Sequence, residues 1–454
     1  MKINNFIKPI SLLILSIILL ACSQTEIFKS EGKGLVTHPE WAKNATIYEV
    51  NIRQFSKEGS FNKVTEQIPR LKEMGIDILW LMPIHPIGEL NRKGSLGSYY
   101  AVKDFKAVNP EFGTIEDFDK LVRTAHSHEM RVIIDWVANH TAWDNVWTKT
   151  NPEFFTLNKE GKFAPPVEDW ADVIDLNYDN KELWNYMTDA MKYWVKNHDI
   201  DGFRCDVAAM VPLEFWKWAR PQLDEIKPVF MLAEGHEPEL HQAFDMTYNW
   251  QLKDLFVGFA KREKGVKDFY TFFENEKNIY SEDDYRMVFT TNHDENTWNG
   301  TDKERYGDAA EPFSVMIGVV PGMPLVYSGQ ESGLDKRLNF FEKDPIEWKK
   351  SEFENIFKEL FNLKKNNMAL WNGMSGGKML KLESGNSAVF SFTRKKDDDQ
   401  IIALFNLSSS IQKIQIKDEN LRGTFNDLFG KKSVSLHSEL IVLLNPWEYI
   451  IYHN

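Results

Sequence analysis

Short apolar runs recur along the chain, and longer stretches of mixed polarity separate them. Eight runs stand out, at 45–50, 76–82, 132–134, 200–203, 229–233, 244–248, 287–290 and 324–327, the sixth weaker than the rest. Between them lie amphipathic segments such as 62–74, 115–129, 181–198 and 212–226. The short runs read as strands and the longer segments as helices. Strands alternating with helices argue for a parallel sheet. Eight such units predict a closed (β/α)8 TIM barrel, in which the functional site lies at the C-terminal ends of the strands.

Two intervals break this rhythm. After His140 comes a stretch rich in Trp, Pro and Asp, with Trp143, Trp147, Pro165, Pro166, Trp170, Asp172 and Asp175. Long irregular intervals in compact domains are usually functional, so an insertion after strand 3 is expected at about 141–178. Past position 374 the pattern changes to short β-rich runs at 388–393, 401–407, 411–416, 439–444 and 449–452, separated by Asn, Asp, Ser and Gly. These predict a C-terminal antiparallel β-sandwich over 374–454, behind a barrel over 36–373.

Polar residues at the ends of the apolar runs carry the candidate chemistry. Asp206 closes Gly202-Phe203-Arg204-Cys205-Asp206, Glu234 closes the run at 229–233, and Asp294 closes Thr290-Thr291-Asn292-His293-Asp294. A fourth run ends in Asp135 and continues to Asn139-His140. Acids are almost never fully buried unless paired. Three acids closing three different strands therefore predict one shared polar site at one rim of the barrel.

The ordered set Asp-x-x-x-Asn-His, Gly-Phe-Arg-x-Asp, Glu and Asn-His-Asp resembles the signature of glycoside hydrolase family 13, the α-amylase family. The resemblance runs from Trp41 to the C-terminus. It implies that Asp206 is a nucleophile, Glu234 an acid/base, and Asp294 a third acid that holds sugar hydroxyls. It also implies that the insertion is a short domain B, that the sandwich is domain C, and that Tyr100 stacks on the sugar at the cleavage point, with neighbouring Tyr99 the alternative. His140 and His293 each follow an Asn at a strand end and are expected to bind glucose hydroxyls. The segment 322–331 resembles the family's strand-eight motif. The implied activity is retaining hydrolysis of α-1,4-glucosidic bonds in starch, maltodextrins or related α-glucans. Alternatives are a 4-α-glucanotransferase, a cyclomaltodextrinase of neopullulanase type, or a catalytically silent glucan-binding surface protein.

The residues themselves suit that chemistry. Breaking a glycosidic bond with retention needs one carboxyl to protonate the leaving oxygen and a second to attack the anomeric carbon. Arg204 lies two residues before Asp206, on the same strand face, where a guanidinium is expected to keep that carboxylate ionised and to line the substrate site. Glu234 follows an apolar run with no base within two positions and is expected to keep its proton longer. Two departures from the family pattern qualify the picture. The Lys-His pair that many endo-acting members carry after the nucleophile is replaced by Val207-Ala208-Ala209-Met210. Asn139 aligns with a family calcium ligand, and Asp172 or Asp175 offers further hard oxygens, but the short insertion leaves a bound Ca2+ open.

Charge and the N-terminus add the setting. The formal charge is −13, which argues against nucleic acid or anionic lipid as partner and suits a neutral glucan. Lys2 and Lys8 precede an apolar stretch at 10–20, too short for a membrane span of about 20 residues. Leu19-Leu20-Ala21-Cys22 resembles a bacterial lipobox, implying a signal peptide over 1–21, a lipid on Cys22 and a tether over 22–35. The expected protein is an exported lipoprotein at the cell surface or facing the periplasm, touching the membrane only through that lipid. Cys205 is then the one remaining cysteine, with no disulfide partner, and reads as core packing.

Overall fold

The computed structural model describes residues 36–454. The signal segment 1–21, Cys22 and the tether 22–35 lie outside the described residues. Strands are numbered in chain order. β1 (Ile47–Val50), β2 (Ile78–Leu81) and β3 (Arg131–Trp136) lead to a small pair, β4 (His140–Ala142) and β5 (Val173–Asp175). β6 (Gly202–Cys205), β7 (Phe230–Ala233), β8 (Met246–Tyr248), β9 (Tyr285–Val288) and β10 (Met323–Tyr327) follow. The C-terminal part holds β11 (Lys378–Lys381), β12 (Val389–Lys396), β13 (Asp399–Asn406), β14 (Gln412–Asp427), β15 (Ser433–Leu444) and β16 (Tyr449–His453).

Eight strands close into a barrel in the order β1-β10-β9-β8-β7-β6-β3-β2, with every pairing parallel. Period-2 alternation explains why these runs are apolar throughout. Ile47, Ile78, Trp80, Ile133, Leu232 and Met287 share the barrel's inner cluster. The alternate residues Tyr48, Leu79, Val132, Phe203 and Met231 belong to the outer core, packed with the surrounding helices. Both faces are covered, so both sets are apolar. Each fully buried side chain of this size contributes about 1.5–3 kcal/mol relative to an exposed one. Gly202 opens β6 because nothing larger fits: its φ is +152°, and a Cβ there would lie 1.9 Å from the Phe230 carbonyl oxygen.

Helices are delimited by local chemistry. The helix Ile115–Ser127 begins at a capping box of Thr114 and Asp117. The helix Lys181–His198 begins where the Asn180 side chain accepts the Glu182 N–H, and it stops at Asp199, whose φ is +55°. Its buried face presents Leu183, Met187, Met191 and Trp194 to the barrel.

The insertion follows the third strand. Its β4 and β5 pair antiparallel, with His140 opposite Asp175. The C-terminal strands form one six-stranded antiparallel sheet in the order β11-β12-β13-β16-β14-β15. One face of β12 and β13, with Phe390, Phe392 and Phe405, joins the core shared with the barrel. The other face, with Val389, Ile402 and Leu404, packs on Ile414, Ile416 and Leu440 of β14 and β15. The chain is thus a (β/α)8 barrel with a short insertion after its third strand and a C-terminal antiparallel β domain.

Candidate active site

The inward-facing series of β1, β3 and β6 ends in charge: Glu49, Asp135 and Arg204 replace hydrocarbon where the barrel interior approaches its C-terminal mouth. Asp135 stands directly beside Arg204 in the register of β3 and β6. Arg204 organises the site. Its Nη1 donates to Asp135 Oδ1 and to Asp206 Oδ1, each at 2.9 Å, and its Nε donates to the Tyr248 hydroxyl at 3.1 Å. Its Nη2 lies 2.8 Å from Glu234 Oε2, an ion-pair contact outside good hydrogen-bond angles. One fully buried guanidinium therefore anchors three carboxylates from three strands. Burial disfavours its charge, but Asp135 and Glu234 more than offset this and keep it protonated.

Glu234 Oε2 also accepts the Val207 N–H at 2.7 Å. Val207 has φ +36°, a left-handed conformation that costs a β-branched residue about 1–3 kcal/mol. The turn after Asp206 is thus strained into aiming a backbone donor at the second acid.

A second chain of bonds runs across the barrel mouth. The Tyr100 hydroxyl donates to Asp135 Oδ2 at 3.1 Å and meets His293 Nε2 at 2.7 Å. His293 Nδ1 meets Glu49 Oε1 at 2.5 Å, and Trp80 Nε1 donates to Asp135 Oδ2 at 3.1 Å. Burial alone would lower the His293 pKa, yet the Asp294 and Glu49 carboxylates raise it to about 9. His293 is therefore an imidazolium at neutral pH, with both ring nitrogens donating. His140 behaves oppositely: burial lowers it to about 4. The Asn139 amide nitrogen lies 3.2 Å from His140 Nδ1. A donor there leaves the proton on Nε2, which is 4.0 Å from Asp206 Oδ2.

These groups converge. A cavity of about 430 Å³ is lined by Tyr100, His140, Asp206, Glu234, His293 and Asp294 together. Its outer wall is aromatic, with Trp170 of the insertion on one side and Trp298 and Phe340 on the other. Trp298 Nε1 donates to Asp294 Oδ1 at 3.2 Å.

Several sequence expectations need correction or completion. Arg204 was expected to hold Asp206 ionised. Instead burial, and then the Glu234 carboxylate, push Asp206 well above the ordinary aspartate range, with Arg204 only partly opposing them. Of the adjacent tyrosines, Tyr100 enters the site, while Tyr99 donates to Asn51 Oδ1 at 3.0 Å and stacks on Arg53. Of the residues offered for calcium, Asn139 aligns with a family ligand, and Asp172 and Asp175 are engaged by neighbouring side chains. Asp172 Oδ1 is paired with Lys93 Nζ at 3.0 Å, and Asp175 Oδ2 accepts the Thr156 hydroxyl at 2.5 Å. Asn139 turns its amide to His140, and among the described residues no group of three His, Cys, Asp or Glu is placed to hold a metal. Glu49, Trp80, Tyr248 and Trp298 also belong to the site. Glu49 alone left a sequence signal, as an acid two residues after Ile47 in an otherwise apolar run.

A barrel with paired carboxylates at the ends of its strands, in a cleft lined by aromatic rings and imidazoles, is the architecture of a glycoside hydrolase. Comparison with known proteins narrows this. The chain matches the family described as "Alpha amylase, catalytic domain" over residues 28–165 and 166–377, and it belongs to the α-amylase family. The crystal structure of an α-amylase from Lactobacillus plantarum superposes with a TM-score of 0.81 at 30% identity, covering 90% of this chain and 99% of that one. The noncanonic maltogenic α-amylase AmyB from Thermotoga neapolitana superposes with a TM-score of 0.82 at 31% identity, covering 90% of this chain and 98% of that one. Alpha-amylase 3 of Dictyoglomus thermophilum is 24% identical over 443 residues, spanning 81% of this chain and 85% of that protein.

Proposed function

We propose that the protein hydrolyses α-1,4-glucosidic bonds of starch, maltodextrins or related α-glucans with retention of configuration. One observation carries this reading: Arg204 holds Asp206 through Nη1 and Glu234 through Nη2. Two carboxylates anchored on adjacent nitrogens of one guanidinium form one close pair. That favours the spacing of retaining enzymes, about 5–5.5 Å, over the about 6.5–9.5 Å of inverting ones.

In the proposed mechanism the Glu234 carboxyl gives its proton to the glycosidic oxygen as Asp206 attacks the anomeric carbon. The C–O bond breaks, the leaving chain departs as an alcohol, and a glycosyl ester forms on Asp206. Glu234, now a carboxylate, takes a proton from water, and the water oxygen displaces Asp206. Asp294, His140 and the His293 imidazolium bind sugar hydroxyls, while Tyr100 stacks on the ring. The chemistry requires the proton on Glu234 and Asp206 ionised. Trapping is the test: a 2-fluoro glucosyl donor with an activated leaving group adds one sugar to Asp206, seen by mass spectrometry of the peptide. Modification elsewhere, or none, overturns the assignment.

A second reading is a 4-α-glucanotransferase. It draws on Val207-Ala208-Ala209-Met210 beside Glu234, where Met210 is exposed. An apolar acceptor side suits a sugar face better than a free water. Products longer than the starting maltoheptaose would favour it. The lipobox-like Cys22 supports export and lipid anchoring; Cys22→Ser should release the protein from the membrane fraction.

A further inference from the structure

The cavity is walled on one side and open on the other, and the ring order says which side is which. Glu234 follows β7. In the closed ring β7 stands opposite β1, and β1 is flanked by β2 and β10. The loops after β2 and β10 therefore face Glu234 across the barrel mouth. Those two loops are fastened together. The Leu96 N–H donates to the Phe341 carbonyl at 3.1 Å, and the Ser95 N–H donates to Glu342 Oε1 at 2.9 Å. Beneath them buried Arg53 donates through Nη1 to both loops, to the Gly97 carbonyl at 3.0 Å and the Phe340 carbonyl at 3.3 Å.

The same β2 loop is fastened on its other flank. Lys93 Nζ donates to the Asp169 carbonyl at 2.8 Å and pairs with Asp172 Oδ1 at 3.0 Å, both in the insertion after β3. At the far end Trp298, which follows β9, packs on Phe340 with ring centroids 5.4 Å apart and on Phe341 at 6.1 Å. The wall thus runs without a break from β3 through β2 and β10 to β9. The gap lies over β6, β7 and β8, where the connections are short. After β6 only Asp206 and Val207 precede the turn Ala208–Met210, and after β8 only Asn249 precedes the helix Trp250–Ala260.

A general acid stands beside the oxygen it protonates, so the leaving chain lies on the Glu234 side, over the gap. The retained sugar points the other way, into the wall. We propose that the glycone end of the cleft is a dead end, so that the protein acts on non-reducing chain ends and removes short units from them. This inference rests on the hydrolase reading above and specifies the substrate: a linear α-glucan with a free non-reducing terminus.

The test compares maltoheptaose with the same oligosaccharide carrying an acetal across O4 and O6 of its non-reducing glucose. The free chain should be cut, and the blocked chain should be cut slower by about tenfold or more. Equal rates on the two would overturn the dead end and leave the hydrolase reading standing. No cleavage of either would overturn the hydrolase reading, and the inference with it. A second arm uses Lys93→Ala, which cuts the tie between the β2 loop and the insertion. Its rate on the blocked chain should rise relative to the free chain; an unchanged ratio in a folded variant would overturn the assignment of the wall.

Discussion

The Tyr100 hydroxyl and His293 Nε2 lie 2.7 Å apart, and their rings stack with centroids 5.4 Å apart. This contact joins the loop after β2 to the end of β9 and sits between Asp135 and Glu49, so two buried acids are balanced through one tyrosine and one imidazolium. Stability should follow the histidine. Its folded pKa, about 9, is raised from the ordinary 6.5, so its contribution is complete below about pH 6.5 and is lost as pH rises through about 9. The amount is on the order of 3 kcal/mol. Glu49→Gln should remove part of it, and Tm measured from pH 6 to pH 10 should fall less steeply for the variant than for the parent. Parallel curves would separate Glu49 from the titration.

Asp206→Asn should abolish turnover without harming the fold. A loss of about 10⁴–10⁶-fold in kcat is the scale seen when a member of a covalent catalytic set is removed. Tm should stay level or rise. An aspartate raised in the fold costs stability once pH passes its ordinary value near 3.8, and the amide carries no such cost. Reducing-sugar release and thermal melts check both; near-normal activity would refute the role.

Glu234→Gln should reveal itself through the leaving group. With an activated aryl glycoside the proton is not needed, and the loss in kcat should be far smaller than the about 10²–10⁴-fold expected on maltodextrins. The variant also removes the second largest cause of the raised Asp206 pKa. The acid limb of its kcat/KM profile on the activated substrate should therefore move to lower pH. A limb that stays in place would show that burial alone sets it.

Trp298→Ala should weaken substrate use with little effect on the fold. The residue is 54% exposed, so truncating it should cost no more than about 0.5 kcal/mol of stability. Losing its platform and its bond to Asp294 should lower kcat/KM by about tenfold, mostly through KM. Trp298→Phe should restore the KM part and leave any kcat part that depends on the indole N–H.

Chelation should leave the protein unchanged. Asp172 and Asp175 are engaged by Lys93 and Thr156, so Tm in EDTA and in millimolar calcium should coincide. A rise of several degrees with calcium would mean that these side chains rearrange to bind it.

Much of this molecule is legible in its one-dimensional pattern, for a local reason. Strands buried on both faces must be apolar at every position, so runs such as 229–233 are visible by themselves. The acids that close them interrupt hydrocarbon where only a polar site tolerates charge. Glu49 was hard to read because β1 is four residues long, too short for one inward acid to distinguish itself from a strand-end polar residue. Trp298 was silent because an exposed tryptophan past a strand end looks like any other aromatic until its neighbours are known.

By itself, then, the order of residues determined the barrel, the C-terminal β domain and the candidate acids Asp206, Glu234 and Asp294, since each follows from periodicity and from the cost of burying charge. Only the tertiary structure decided how Asp206 titrates, what engages Asp172 and Asp175, and which loops wall the cleft. The reason is distance. A pKa or a closed cleft depends on groups such as Glu234 beside Asp206, or Lys93 beside Asp172, that are far apart along the chain and become neighbours only when the ring of strands closes.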